Sequence, residues 1–257
     1  MPRLRTLLLA GAVALTASQS WAAGPPAYVM SAVGDVGRPA VDKARDPLRK
    51  PAELLAFFQI KPGQKLAELL PGNGYFTRIF SKAVGPNGKV YVLGPPGAAP
   101  TVASVTGTRS YANVAAIAPS AASLNLPERV DLVWTSLNYH DLKNPPSGGG
   151  TPIDIAAFNK AVYGALKPGG YYVVIDHAAN RGDANASADK HRIDPLTVVQ
   201  EITAAGFILQ AETQALRRPE DPRTAPVFAL NGFSDQFAML FRKPDLSLGG
   251  AIRDPQE

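Results

Sequence analysis

Short apolar runs alternate along the chain with segments in which apolar residues recur at helical spacing. Strands are predicted at residues 65–68, 89–93, 111–117, 130–134, 171–176, 207–211 and 235–241. Helices are predicted at residues 51–58, 76–83, 155–166 and 195–205, with another short helix within residues 98–129. Because strand, helix and strand follow one another with short turns, most strands are expected to run parallel. The last two strands flank a long Pro- and Arg-rich loop and are expected to pair antiparallel. We therefore predict an α/β fold with a mostly parallel seven-stranded sheet, an antiparallel last strand and helices on both faces.

The stretch at residues 65–77 joins an apolar run and an acid to a turn that contains two glycines, and helical spacing resumes at Phe76. Gly72 and Gly74 allow a positive φ and the close approach of a small molecule to the backbone. The N–H groups at the start of the following helix have no partner inside it and can donate to a ligand. The sequence therefore predicts a ligand site at this loop.

Three helices have recognisable starts. Residues 151–154, Thr-Pro-Ile-Asp, offer a hydroxyl cap, a proline for the first turn and an acid at the positive end of the helix dipole. Asp194 and Pro195 mark the start of a later helix, and Gly206 ends it. Pro51 is expected in the first turn of an earlier helix.

Composition supports one α/β domain of about two hundred residues plus tails, since 46% of the 257 residues are hydrophobic. Cysteine is absent, which excludes disulfides, thiolate metal sites, a Cys nucleophile and lipid attachment through an N-terminal Cys. The net charge of +5 is scattered along the chain. It gives no nucleic-acid-binding footprint, and a small-molecule substrate is expected instead.

The first 23 residues have the pattern of a secretory signal peptide. Arg3 and Arg5 precede a short apolar run at residues 7–15, and Ser20 and Ala22 are small residues suited to a signal peptidase. Removal of residues 1–22 leaves 24 basic and 21 acidic residues, a net charge of +3. The mature protein is expected in the periplasm or outside the cell, without stable insertion in a membrane.

The remaining chain divides into a leader at residues 24–47, a main domain at residues 48–244 and a tail at residues 245–257. Gly and Pro in residues 24–40 favour an extended course across the surface, and the pattern becomes helical from Val41. The charged residues that follow are expected to form a surface ion-pair network of Asp42, Arg45, Asp46 and Arg49.

Two motifs resemble those of class I S-adenosylmethionine-dependent methyltransferases, and they follow one another in the order that the fold of that family requires. Residues 66–77 are similar to the first motif of that family, and residues 166–170, Leu-Lys-Pro-Gly-Gly, to the turn before its fifth strand. More narrowly, Pro-Gly-Asn-Gly-Tyr-Phe-Thr-Arg at residue 71, Asn-Tyr-His-Asp at residue 138 and His-Arg-Ile-Asp at residue 191 resemble a group of predicted bacterial methyltransferases with signal peptides. The Asp-Gln-Phe and Phe-Arg-Lys-Pro segments near the end of the domain fit the same group. The resemblance implies a Rossmann-like, doubly wound sheet and S-adenosylmethionine as cofactor.

Position by position, the resemblance implies a cofactor site at the glycine loop. Glu68 matches the acid at the end of the first strand, and Gly72 and Gly74 match the second and third glycines of the family's loop. The implied cofactor-binding set is Glu68, Leu70, Pro71, Gly72, Asn73, Gly74, Tyr75, Gly94 and Asn138.

The chain departs from the family pattern at two of these positions. Leu70 stands where the first glycine belongs, and Gly94 stands where an acid usually holds both ribose hydroxyls. The next carboxylate is Glu128. Two charge-assisted hydrogen bonds, worth about 1.5–3 kcal/mol each when desolvated, would need replacement.

All three histidines, His140, His177 and His191, follow predicted strands on the edge where open α/β sheets bind ligands. Methyl transfer depends on alignment, together with a base when the acceptor must lose a proton. His140 or His177 is the candidate base, oriented by Asp141 or Asp176. Tyr139 is expected to contact the substrate, as is Asn138, which also belongs to the cofactor set. Each histidine taken singly is also compatible with an ordinary hydrogen-bonded residue.

Two other ligand sites are compatible with the sequence. The histidines and Asp176 could bind zinc, but no His-x-x-x-His spacing is present, and no metal ligand is assigned from the sequence. Arg217, Arg218 and Arg223 could clamp an anion, although a solvated loop is the favoured interpretation.

Three functions follow. The preferred hypothesis is an S-adenosylmethionine-dependent methyltransferase. A non-enzymatic alternative is a degenerate methyltransferase-like binding protein in the periplasm, favoured by Leu70, Gly94 and the export signal. The third is a metal-dependent hydrolase on the same sheet.

Overall fold

A computed structural model describes residues 24–95, 102, 105–119, 123–145 and 152–245. The helices are α1 (Ala27–Val33), α2 (Ala40–Lys43), α3 (Asp46–Arg49), α4 (Pro51–Phe57), α5 (Tyr75–Val84), α6 (Ile155–Ala165), α7 (Ala186–Lys190) and α8 (Pro195–Ala204). The strands are β1 (Lys65–Leu69), β2 (Lys89–Leu93), β3 (Val114–Ile117), β4 (Val130–Ser136), β5 (Leu166–His177), β6 (Ile208–Thr213) and β7 (Gln236–Arg242). The predicted signal peptide and nearly all of the predicted tail lie outside the described residues. The proposed domain boundaries stay a prediction.

The seven strands form one sheet in the order β3-β2-β1-β4-β5-β7-β6. Strands β1 to β5 run parallel to one another, whereas β7 is antiparallel to both β5 and β6. The prediction of a mostly parallel, doubly wound sheet with an antiparallel last strand is therefore confirmed. Because the strand order reverses between β1 and β4, a crevice opens at the carboxyl ends of those two strands, where such sheets bind ligands.

Alternate residues of the central strands pack on opposite faces of the sheet. Leu66 and Trp134 belong to a cluster that includes buried residues of α1, α4 and α5, and Ala67 and Val133 belong to a second cluster that includes buried residues of α6 and α8. The Trp134 ring is surrounded by aromatic rings whose centroids lie 5.0–5.5 Å away, those of Phe58, Phe76 and Phe80. Burial on both faces explains why consecutive positions of these strands, and not only alternate ones, are apolar.

Two local predictions need correction. Residues 24–40 are not extended throughout, because α1 forms there and buries Val29 and Ala32, three positions apart, against the core. Helix α6 is capped by Asp154, whose carboxylate accepts the N–H of Ala157 at 3.1 Å. The predicted hydroxyl cap, Thr151, lies outside the described residues. The later helix begins as predicted, with Asp194 as its cap and Pro195 as its first residue.

The charged residues of the leader are not a surface network. Asp42 is buried and pairs with Arg78 of α5 at 2.8 Å, and Asp46 accepts from Arg38 and from the Tyr75 hydroxyl at 2.6 Å. Such pairs are hidden from local pattern analysis, because Asp42 and Arg78 are 36 positions apart. They hold residues 38–46 against α5, beside the glycine loop.

Among the described residues, no helix has both the length and the apolar character that crossing a membrane requires.

Candidate active site

The glycine loop, residues 70–74, joins β1 to α5, and three of its residues have a left-handed conformation. Leu70, Gly72 and Gly74 have φ values of 49°, 54° and 78°. A Cβ atom at Gly74 would lie 2.9 Å from the Val102 side chain and 3.0 Å from that of Val105, so only glycine fits there. At Gly72, in contrast, a Cβ atom would meet no atom within 4 Å. The loop is therefore packed at Gly74 and open at Gly72.

A cavity of about 270 Å³ lies over this loop. Seven of the nine predicted cofactor-binding residues line it: Glu68, Leu70, Pro71, Gly72, Asn73, Tyr75 and Asn138. Asn138 also fixes the loop, because its side-chain amide donates to the Leu70 carbonyl at 3.0 Å. The remaining two, Gly74 and Gly94, do not line the cavity. Gly74 caps α5 behind it, and Gly94 lies at the end of β2 with its N–H directed at the Ile117 carbonyl.

Glu68 is the buried acid of this cavity. Its carboxylate accepts the Thr77 hydroxyl at 2.5 Å, and burial raises its pKa to about 8 in spite of that hydrogen bond. Without a ligand the group is therefore mostly protonated at pH 7, and a cationic ligand beside it would favour its ionised form.

Arg49 provides a positive charge in the same cavity. Its guanidinium lies 4.6 Å from the centroid of the Tyr75 ring and 5.8 Å from that of Phe76. Burial and the neighbouring Arg45 lower its pKa to about 10, so it remains charged at neutral pH. Among the described residues it forms no ion pair, which leaves its charge available to an anionic ligand group.

A second cavity, of about 470 Å³, adjoins the first. Arg45, Arg49 and Leu137 line both cavities. All three histidines line the second one, together with Asp141, Phe228 and Gln236. The topology thus brings the predicted catalytic histidines together, next to the glycine loop.

His140 is fixed by Asp176, which is wholly buried at the end of β5. The carboxylate lies 2.8 Å from the His140 backbone nitrogen and 2.8 Å from its ring Nδ1. Burial opposes the charged ring, but the charge of Asp176 and the hydrogen bond to Asp141 outweigh it and raise the pKa of His140 to about 10. Of the predicted orienting residues, Asp176 therefore serves His140.

The other two histidines have different surroundings. His177 Nδ1 lies 2.7 Å from the Ser234 hydroxyl, and burial lowers its pKa to about 4, so its ring is neutral at pH 7. His191 is partly exposed, and its ring centroid lies 4.6 Å from that of Phe228. Asp141 lies within 3.4 Å of ring nitrogens of both His140 and His191, and these histidines hold its pKa below the ordinary value in spite of its partial burial.

Tyr139 does not join this site, contrary to the prediction. Its hydroxyl donates to Glu201 at 3.0 Å and accepts from Asn159 at 2.8 Å, within the cluster under α6 and α8. Burial raises its pKa far above the ordinary value. Tyr139 and His140 are adjacent in sequence, yet Tyr139 packs in the core and His140 lines the cavity. A 3₁₀ turn begins at His140 and separates the two directions.

The structure also places two other features noted in the sequence. Glu128 cannot replace the acid missing at Gly94, since it pairs with Lys65 at the start of β1, the opposite end of the sheet. Arg217 and Arg223 are neither an anion clamp nor fully solvated, because both are partly buried and pair with the buried carboxylate of Asp235 at 2.9 Å.

Sequence reasoning missed Arg45, Arg49 and Phe228 as cavity residues. The two arginines lie four positions apart at the two ends of the short helix α3, and Phe228 comes from the loop before β7. The exposure of Phe228, 74%, marks it as a candidate contact residue only once the structure is known.

No protein-family model matches the chain, and no curated protein matches it. Solved structures do resemble it. An S-adenosylmethionine-dependent methyltransferase from Aquifex aeolicus gives a TM-score of 0.56 at 17% identity, covering 83% of this chain and 97% of its own. The N-methyltransferase NodS from Bradyrhizobium japonicum WM9 gives 0.53 at 15% identity, covering 77% and 98%. An arsenic(III) S-adenosylmethionine methyltransferase from Chlamydomonas reinhardtii gives 0.51 at 18% identity, covering 86% and 74%. At these identities the likeness establishes the fold alone, and the chain has the Rossmann-like fold that these methyltransferases share.

Proposed function

We propose that this protein transfers a methyl group from S-adenosylmethionine to a small acceptor bound in the histidine-lined cavity. One observation carries the proposal: the cavity over the glycine loop and the cavity lined by the histidines meet at Arg45, Arg49 and Leu137. A donor in the first cavity would therefore face an acceptor in the second, which is the alignment that a direct transfer requires.

The residues of the first cavity fit the methionine end of the cofactor. Glu68 offers a carboxylate to the ammonium or sulfonium charge, Arg49 offers a cation to the carboxylate, and the open face at Gly72 admits a ligand against the backbone. When bound, S-adenosylmethionine supplies an electrophilic methyl group. A volume of 270 Å³ lies just below the range of about 300–1,000 Å³ typical of ligand pockets, so this cavity matches part of the cofactor.

The residues of the second cavity divide the work of acceptor binding and proton transfer. His177 is the candidate proton acceptor, because its ring is neutral at pH 7 and Ser234 occupies only Nδ1. Arg45 and Arg49 also line this cavity and favour an acceptor that is anionic or rich in oxygen. A cavity of 470 Å³ suits a small molecule.

Calorimetry of the purified protein with S-adenosylmethionine and, separately, with S-adenosylhomocysteine tests the proposal. We expect one molecule of either compound to bind per chain. If neither compound binds, the assignment is overturned, and the protein has a methyltransferase-like fold that does not bind this cofactor. Methyl transfer is then sought with radiolabelled donor and pools of small anionic acceptors.

We also propose that the protein acts outside the cytoplasm. The basic, apolar and small-residue pattern of residues 1–22 supports this location. N-terminal sequencing of the protein from fractionated cells should give a chain that begins at Ala23 in the extracytoplasmic fraction. An intact Met1 in the cytosol would contradict it.

A further inference from the structure

We propose that His140, Asp141 and His191 bind one divalent metal ion of the zinc type in the histidine-lined cavity. The three residues come from the 3₁₀ turn after β4 and from the end of α7, and all line the same cavity. Each directs one ligand atom toward the other two. This site is separate from the cofactor cavity and does not depend on methyl transfer.

The distances between the ligand atoms match the edges of a zinc tetrahedron. His140 Nε2 lies 3.2 Å from Asp141 Oδ1 and 3.3 Å from His191 Nδ1, and the last two atoms are 3.4 Å apart. With metal–ligand bonds of about 2.0–2.2 Å, a tetrahedral ion separates its ligands by about 3.3–3.6 Å, whereas right-angled octahedral ligands at such lengths lie about 2.8–3.1 Å apart. The observed separations fall at or near the tetrahedral values.

The hydrogen bond behind His140 is the one that metal sites use. The ring of a metal-binding histidine almost always donates its other N–H to a carboxylate, which fixes the ring and its tautomer. Asp176 accepts from His140 Nδ1 at 2.8 Å, and this leaves Nε2 facing Asp141 and His191. The Asp176 carboxylate is wholly buried, so the orientation is rigid.

The composition of the site selects the class of ion. Two imidazoles and one carboxylate suit zinc and similar first-row ions, whereas Mg²⁺ and Ca²⁺ prefer oxygen ligands alone. The two charges of such an ion would be balanced by Asp141 and Asp176. Since three protein ligands leave one tetrahedral position vacant, and the ligands line a cavity, the fourth ligand would come from water or from a molecule in that cavity.

A consequence for chemistry rests on the proposed methyl transfer. An acceptor hydroxyl or thiol bound at the fourth position would lose its proton more readily and would be aimed from the histidine cavity toward the adjoining one. Metal binding itself can be measured without any methyl transfer, so the two proposals can fail independently.

The test is metal titration of the full chain after dialysis against a chelator. Zn²⁺ is titrated by calorimetry, and Co²⁺ by visible absorption, which is far stronger for four-coordinate than for six-coordinate Co²⁺. We expect one Zn²⁺ per chain, the intense Co²⁺ spectrum, and no comparable binding of Mg²⁺.

Two ligand variants and one matched control make the test specific. His191 has φ of 53°, a conformation that Asn tolerates, so His191→Asn removes the imidazole without backbone strain. Asp141→Asn removes the charge and keeps the shape. Each should weaken Zn²⁺ binding by about 100-fold or more, since even loss of an outer-shell partner costs about 10- to 100-fold. Asp189→Asn, an exposed acid of α7, should bind Zn²⁺ as the natural protein does.

The outcomes separate clearly. Circular dichroism and thermal melting of the metal-free variants confirm that they fold. Absence of Zn²⁺ binding, or equal binding by the His191→Asn and Asp141→Asn variants, would overturn the metal site, as would a six-coordinate Co²⁺ spectrum. Zn²⁺ binding without affinity for S-adenosylmethionine would support the metal site and remove the methyl-transfer proposal.

Discussion

Asp176 accepts two hydrogen bonds from His140, one from the backbone N–H to Oδ2 and one from ring Nδ1 to Oδ1, each 2.8 Å long. This buried carboxylate joins the end of β5 to the turn after β4 and also accepts the backbone N–H of His177 at 2.7 Å. The orientation of the histidine cavity therefore depends on one side chain that the cavity itself does not expose.

In the metal-free protein, Asp176→Asn should lower the free energy of unfolding by about 3–5 kcal/mol, because it removes the buried carboxylate that pairs with the His140 imidazolium. Denaturant unfolding at pH 7 measures this loss. Glu53→Gln is the control, since Glu53 forms only an exposed pair with Lys50 at 3.9 Å. Equal losses in the two variants would show that His140 does not depend on Asp176.

Glu68→Gln should change the pH dependence of stability. The folded pKa of Glu68, about 8, is raised above its ordinary value of 4.5, so the natural protein loses stability as pH rises between these values. Gln does not ionise and can still accept from Thr77. The stability of the variant relative to the natural protein should therefore increase from about pH 5 to about pH 9, as measured by denaturant unfolding.

The control for this effect has the opposite sign. Lys65 and Tyr91 hold the pKa of Glu128 below its ordinary value, so its contribution is present at neutral pH and is lost in acid. Glu128→Gln should therefore reduce stability at neutral pH and make less difference in acid. If the difference in stability between Glu68→Gln and the natural protein does not change from about pH 5 to about pH 9, the pKa of Glu68 is not raised in the folded protein.

The sheet could be predicted because its signals are local. Residues 132–134 are consecutive apolar residues because both faces of the sheet are covered there, and Asp194 and Pro195 mark a helix start by their own chemistry. The grouping of the histidines was also accessible, because parallel strands end on one edge. The direction in which each side chain points could not be predicted, as the different surroundings of Tyr139 and His140 demonstrate.

Contacts between distant segments could not be predicted from one sequence. Asp42 and Arg45 are both charged residues of one short polar segment. Asp42 is nevertheless buried and pairs with Arg78, whereas Arg45 lines two cavities. Only the docking of the leader on α5 separates these roles. The placement of Arg49 over Tyr75, which gives the cofactor cavity its cation, has the same origin.

Gly72→Val should weaken the binding of S-adenosylmethionine by at least about tenfold, a loss of about 1.4 kcal/mol, by placing a side chain in the open face of the loop. Calorimetry measures the affinity. Gly63→Val is the matched control, because Gly63 has a similar positive φ of 82° and open space, and it precedes β1 at the other end of the sheet. Both variants carry the strain of a β-branched residue at positive φ. If they bind the cofactor equally well, the cofactor does not lie against Gly72.

Arg49→Met should weaken the binding of the methionine end of the cofactor and leave the binding of the adenosine end unchanged. Met keeps an apolar stem over Tyr75 and Phe76 but removes the charge proposed to bind the methionine carboxylate. A hydrogen bond to a charged group contributes about 1.5–3 kcal/mol. The affinity for S-adenosylmethionine should therefore fall by about 10- to 150-fold. Methylthioadenosine, which lacks the amino-acid group, should bind the variant and the natural protein alike in calorimetry. Equal losses for both ligands would mean that Arg49 supports the cavity wall by packing, and the carboxylate would have to be bound elsewhere, since Arg45 is the other cation of this cavity among the described residues.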